Sequence, residues 1–201
     1  MAQPLELSKD GYEVQFAVNH LAHGLIIKTL LPALQLATTR PNADVRIILV
    51  TSLGLSLHPK GGITFPTLNT VQDFGMGGPW IRYGQSKLAN SVYARDLARR
   101  YPNITTVSIH PGVVATELVA NTRFRDWLLI QVTQLGRTLK VEEGIMNQLW
   151  LAVGAKKADI LNGSLYTPVG VESNKILGAE GMSDTLAKEL WEWTENALAK
   201  V

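Results

Sequence analysis

The stretch Trp80-Ile81-Arg82-Tyr83-Gly84-Gln85-Ser86-Lys87-Leu88-Ala89-Asn90 sets a tyrosine and a lysine four residues apart, at the start of a run that reads as a helix. Residues at i and i+4 share a helix face, with Cβ atoms about 6 Å apart. A phenol and an ammonium so placed can influence each other's proton. The same spacing also suits an ordinary amphipathic surface. To be a site, the pair needs an oriented polar partner, a cofactor wall and an open α/β sheet to hold them.

The flanking elements offer candidates for each. Asp10 and Glu13 have the spacing of a capping box, with Ser8 as a second candidate cap. The pattern predicts a helix from Gly11 to about Leu31, with an apolar stripe of Val14, Val18, Leu21 and Leu25. Asn19 falls inside it, although helix interiors disfavour an amide that competes for backbone hydrogen bonds. His20 and His23 are three apart, but no third ligand is near, so they read as an incidental helix pair rather than a metal site. Arg46 to Ser52 is short, apolar and β-branched, which predicts a parallel strand buried on both faces. Ser52 ends that strand, where open α/β sheets bind ligands. A plain turn serine before Gly54 is the alternative, and Ser56 is a rival hydroxyl just beyond.

Leu55 to Pro79 is rich in Gly and Pro, a loop of a length that is often functional. The helix of Tyr83 and Lys87 should run to about Arg100, with Leu88, Val92 and Leu97 on its buried side. Thr105 to Ile109 is a second strand, giving a right-handed parallel crossover. It ends at His110-Pro111-Gly112-Val113-Val114-Ala115-Thr116-Glu117, where Pro111 and Gly112 force a turn and Gly112 admits a close ligand. Asn121 to Leu139 reads as a substrate-covering flap, with a lipid-touching surface helix as the alternative. A helix from Val141 to about Val153, a short strand at Leu165 to Thr167 and a helix from Asp184 to Lys200 complete the chain. Trp191 and Trp193 are expected to pack against the body.

Composition narrows the class. A chain of 201 residues, 46% hydrophobic and 18% charged, has material for one cored domain over its whole length. A net charge of +2 with no Lys/Arg block gives no reason to expect nucleic acid as a partner. The absence of cysteine removes disulfides and thiolate chemistry, and it is compatible with the cytoplasm. The first residues do not read as a signal peptide, and no run approaches 18 apolar residues.

Four motifs in one order then resemble a known family. Asp10-Gly11-Tyr12-Glu13 with Gln15-Phe16 and Val18-Asn19-His20-Leu21, then Ile47 to Ser52, then Tyr83 to Asn90, then His110 to Leu118 are similar to the short-chain dehydrogenases/reductases. The branch is that of retinol dehydrogenases and WW-domain oxidoreductases, including fungal reductases. The resemblance implies a partial Rossmann-type, doubly wound parallel sheet, the family's strands 5–7 with flanking helices. It also implies an NAD(P)-dependent enzyme interconverting a small-molecule carbonyl and an alcohol, with NADP preferred over NAD. Tyr83 would carry the proton, and Lys87 would lower the phenol's pKa from about 10 and bind the nicotinamide ribose. Ser52 would hold the substrate oxygen, Asn19 a relay water, and Val114 and Thr116 the nicotinamide carboxamide.

The family's opening strand and glycine-rich pyrophosphate turn have no counterpart in these residues, so the domain is expected to be truncated at its N-terminus. One strand edge should then be exposed and prone to self-association. A second reading follows: an inactive, shortened dehydrogenase that acts, if at all, by association.

Overall fold

The computed structural model describes residues 1–114 and 139–200. Four strands form one sheet in the order β1 (Arg46–Val50), β2 (Thr105–Ile109), β3 (Leu165–Thr167), β4 (Val171–Glu172). The first three are parallel, in a register that sets Arg46 beside Thr105 and Val50 beside Ile109. β4 pairs antiparallel with β3. This is the mostly parallel, helix-flanked α/β sheet expected from the sequence. β4 was not expected, since two residues are too few to show a periodicity.

Helix α1 runs unbroken through an α turn (Val14–Phe16), a π turn (Ala17–Leu21) and an α segment (Ala22–Ala37). Its details correct the sequence reading. Glu13 is itself the cap, its carboxylate accepting the Phe16 N–H at 2.7 Å, so the helix starts at Val14 rather than Gly11. It continues past Leu31 to Ala37. The expected stripe faces the core only in part: Leu21 is buried, but Val18 is 58% and Leu25 42% exposed. Phe16, His20, Gly24 and Ile27 are buried beside Leu21. A π turn holds one residue more than an α turn, and each residue adds about 100° of rotation, so a plain 3.6 period drifts across it.

Helix α2 (Gly78–Arg100) connects β1 to β2. A broken helix α3 (Val141–Gly144 and Met146–Leu149, then a π turn Trp150–Gly154) precedes β3. Helices α4 (Gly178–Met182) and α5 (Asp184–Leu198) follow β4. The sheet has a core on each face. Ile47 and Leu49 join Phe16, Leu88, Val92, Leu97 and Leu190 from α1, α2 and α5. Val107, Ile109 and Tyr166 pack with Leu151, and Ile48 packs against that second cluster. Trp191 stacks on Tyr93, and Trp193 meets Tyr12 and Phe16 edge to face, so both indoles pack against the body as expected.

Among the described residues β1 is an edge strand, as the resemblance implied, but the expected burial on both faces needs a second correction. Only Ile47 and Leu49 are buried in it, while Val50 is 44% exposed. The Thr105 N–H reaches the Val45 carbonyl and the Thr51 N–H reaches the Ile109 carbonyl. Alternate backbone groups point to opposite sides of a strand, so those of Arg46, Ile48 and Val50 face the outer edge. α1 presents exposed Val18, Leu25, Ile26, Leu30 and Leu36.

Beneath this frame lies a buried ion pair. Arg82 Nε donates to Glu13 Oε1 at 3.1 Å, with side chains 1% and 0% exposed. Arg82 also donates to the carbonyls of Gln72 and Gln3. Gln85 accepts from Thr64 and donates to Gln72. One turn of α2 thus fixes the N-terminal segment, the start of α1 and the long loop.

Two outcomes follow. Light scattering on the chain from Met1 to Val201 should show association through the bare β1 edge and apolar α1. A monodisperse monomer would show those surfaces to be harmless. Arg82→Met alone should cost about 3–5 kcal/mol in urea titration, because Glu13 becomes an uncompensated buried charge. Adding Glu13→Gln should recover part of that loss, and a double variant whose loss is the sum of the two single losses would show that the two are uncoupled.

Candidate active site

The carboxyl end of β1 meets the first turns of α2. The Thr51 hydroxyl donates to the Lys87 carbonyl at 2.6 Å, fixing helix against strand. Ser52 then caps a 3-10 turn (Leu53–Leu57), its Oγ accepting the Gly54 N–H at 3.2 Å. The Tyr83 ring and Ser52 Oγ both lie against Gly54, which brings the Ser52 hydroxyl close enough to influence the Tyr83 phenol. Two glycines make this approach possible. A Cβ on Gly54 would lie 3.0 Å from Tyr83 Cε1, and one on Gly84 would lie 2.7 Å from the Gly54 carbonyl oxygen. The first contact would be tight, and real Cβ atoms essentially never come as close as the second, so α2 sits directly on the backbone of the turn.

Lys87 Nζ stands 5.8 Å from the Tyr83 ring centroid and donates to the Val50 carbonyl at 3.2 Å. Asn19 lies in the π turn of α1, a feature often found at functional sites. Its amide donates to Ser86 Oγ at 3.0 Å, and Ser86 Oγ donates to the Tyr83 carbonyl at 2.8 Å. Ser52, Tyr83 and Lys87 thus form one half-buried patch, and Asn19 docks on α2 between Tyr83 and Lys87 in sequence. The rival Ser56 is exposed, whereas Ser52 meets the phenol.

The electrostatics depart from expectation. Burial pushes the Tyr83 hydroxyl up from its ordinary value, and the Ser52 side chain pulls it back in part. Lys87 stands over the ring and is not among the causes that set this shift. Desolvation lowers Lys87 itself to about 8.

At the neighbouring strand end His110 is 5% exposed and its Nδ1 has no partner among the described residues. Burial lowers it to about 4, which keeps the ring neutral. Gly112 follows at φ +89°, and Val114 packs on Gly144 and bridges to Leu139. Thr116 and all but the last residue of the expected flap, Leu139, lie outside the described residues. His20 is occupied by Asn90 and Thr194, while His23 is exposed.

Sequence reading overlooked the glycines and the polar supports. Gly84 was the legible one, since a glycine inside a helix costs about 1 kcal/mol and invites a packing reason. Arg82, Gln85 and Asn90 gave no signal of their own, because their partners lie far away in sequence.

The donor set suits the nicotinamide–ribose end of a dinucleotide. Lys87 has three N–H donors and one acceptor among the described residues, and His110 offers a buried, unpartnered nitrogen. The chain contains no glycine-rich phosphate turn for the adenosine end.

No protein-family model matches the chain. It is 34% identical to an uncharacterized oxidoreductase of Schizosaccharomyces pombe, over 96% of this chain and 57% of that protein. It is 30% identical to the short-chain dehydrogenase/reductase drtF of Aspergillus calidoustus, over 100% of this chain and 66% of that one. Retinol dehydrogenase 11 of Homo sapiens is 31% identical over 96% of this chain and 56% of its own. A crystal structure of a putative uncharacterized protein from Mycobacterium paratuberculosis shares the fold, with TM-score 0.67, 24% identity, and 99% of this chain and 63% of that one covered. The chain belongs to the short-chain dehydrogenase/reductase family, and it spans 56–66% of the length of these three relatives.

Gly84→Ala tests the backbone contact. The added methyl must displace the Gly54–His58 turn, so a loss of about 1–3 kcal/mol is expected in urea titration, as for other overpacked sites. Unchanged stability would show that the turn yields freely.

Proposed function

We propose that this chain carries the catalytic half of a nicotinamide-dependent oxidoreductase that interconverts a carbonyl and an alcohol. The placement of Ser52 beside the Tyr83 phenol, with Lys87 over the same ring, is the observation that supports it most. A nicotinamide cofactor, NADP by preference, supplies or removes the hydride when bound. The chain's own residues do the rest. Ser52 holds the substrate oxygen within reach of the phenol. Tyr83 donates its proton to that oxygen in reduction and accepts it in oxidation. A hydroxyl raised by burial is held protonated at neutral pH, which suits the donor role. Lys87 turns its unused N–H donors to ribose hydroxyls and stabilises the phenolate left after transfer. Asn19 fixes the Ser86 side of α2 and holds the relay water. Val114 and Thr116 border the carboxamide. The natural setting proposed is cytoplasmic.

The bare β1 edge and the partial span of the relatives also favour a second reading, a shortened dehydrogenase that works by association. Kinetics separate the two. In the natural protein, Tyr83→Phe should abolish turnover and leave cofactor affinity within a few-fold, because the hydroxyl carries the proton and little of the binding. Ser52→Ala should slow turnover by about 10²-fold or more, as loss of a preorganised donor does, while Ser56→Ala should be mild. Near-normal turnover by Tyr83→Phe would sink the assignment, and a crippled Ser56→Ala with a mild Ser52→Ala would move the polar partner to Ser56.

A further inference from the structure

Lys87 has one hydrogen-bond acceptor among the described residues, the Val50 carbonyl, and it does not have that oxygen to itself. Asn90 Nδ2 donates to the same oxygen, also at 3.2 Å. The Asn90 amide is held in this sense by His20. Its Oδ1 lies 3.3 Å from His20 Nδ1. With Nδ2 spent on a carbonyl, that oxygen must accept, so His20 carries its proton on Nδ1. Nε2 is then the acceptor for the Thr194 hydroxyl at 2.9 Å. The His20 ring is edge-on to Tyr93 at 5.2 Å and tilted against Phe16 at 5.0 Å. His20, Asn90 and Thr194 are 1%, 2% and 0% exposed, so the chain from α5 through α1 to α2 is dry and fully paired.

We propose that Asn90, oriented by His20, is a positioning residue for Lys87: it takes part of the Val50 carbonyl, so the ammonium is seated beside Tyr83 yet under-satisfied. Two of its N–H groups then stay directed to a ligand rather than to the protein. This deepens the reading of Lys87 as an active-site group and rests on it. Burial lowers the Lys87 ammonium. The groups that face Lys87 are the Tyr83 phenol on its own helix, the Val50 carbonyl on β1, and the Met1 amino group, which is lowered by burial and by Lys87. Replacing Asn90 changes none of their charges.

The test reads Lys87 directly and needs no turnover. Trace acetylation across pH, with the modified lysine quantified by mass spectrometry, gives the midpoint of its amine in the natural protein. Asn90→Leu keeps the site dry and donates nothing, so Lys87 gains the whole carbonyl. Its midpoint should rise by roughly half a unit or more. Ser91→Ala, next on the helix and buried with an unpartnered hydroxyl, should leave the midpoint in place. Asn90→Leu leaves the His20 Nδ1–H unpaired, so where it does not fold, His20→Phe with Asn90→Leu removes both polar groups and should show the same rise. A midpoint that is unchanged or lower in the folded variant overturns the proposal. A rise without any wild-type turnover would leave this proposal standing and remove the catalytic reading, while turnover with an unmoved midpoint would do the reverse.

Discussion

The site depends on a bare contact between two stretches of backbone. Gly84 brings α2 onto the Gly54–His58 turn with no side chain between them. That closeness puts the end of β1 and the first turns of α2 within one hydrogen bond of each other. Ser52 and Tyr83 meet because of it, and so do Thr51 and the Lys87 carbonyl. A spacer of one methyl at either glycine would push against backbone or ring atoms that are themselves packed.

Around that contact α2 divides its polar residues by helical phase. Arg82 and Gln85 point to the loop and the N-terminal segment, where Glu13, Gln72 and Thr64 are held by further bonds. Tyr83, Lys87 and Asn90 point to the end of β1. The first set holds the scaffold, and the second set meets the strand end where α/β sheets take their ligands. A low-dielectric interior makes paired groups firm and unpaired ones costly, so the two sets behave differently. Each Arg82 nitrogen has its own acceptor, while Lys87 shares a single carbonyl with Asn90.

Much of this was legible in the sequence because it was local. The β-branched run Ile47 to Val50, the Tyr83–Lys87 spacing and the apolar face of α2 each announce themselves within one element. The register of α1 was not legible, since a π turn leaves no reliable mark on the pattern, although Asn19 sat inside it as an anomaly. The edge position of β1 was inferred only through the resemblance. The phenol's environment was misjudged because spacing along a helix says which face Lys87 shares, not whether its nitrogen reaches the oxygen or the ring. Asn90 was invisible for another reason: its partners Val50 and His20 are 40 and 70 residues away.

Lys87 also works against the fold that holds it. Its ammonium titrates near 8 in the folded chain, below its ordinary value of 10.5, so the folded state binds that proton less tightly than the unfolded chain does. The penalty is present in full below pH 8 and is relieved only as pH rises from 8 toward 10.5. An apolar residue at the same position would be expected to make the protein more robust at neutral pH. In a lineage released from chemistry, mutation would therefore have a downhill path away from lysine at position 87. Among homologous chains of this length, the identity of that one residue is a record of whether selection still acts on the reaction.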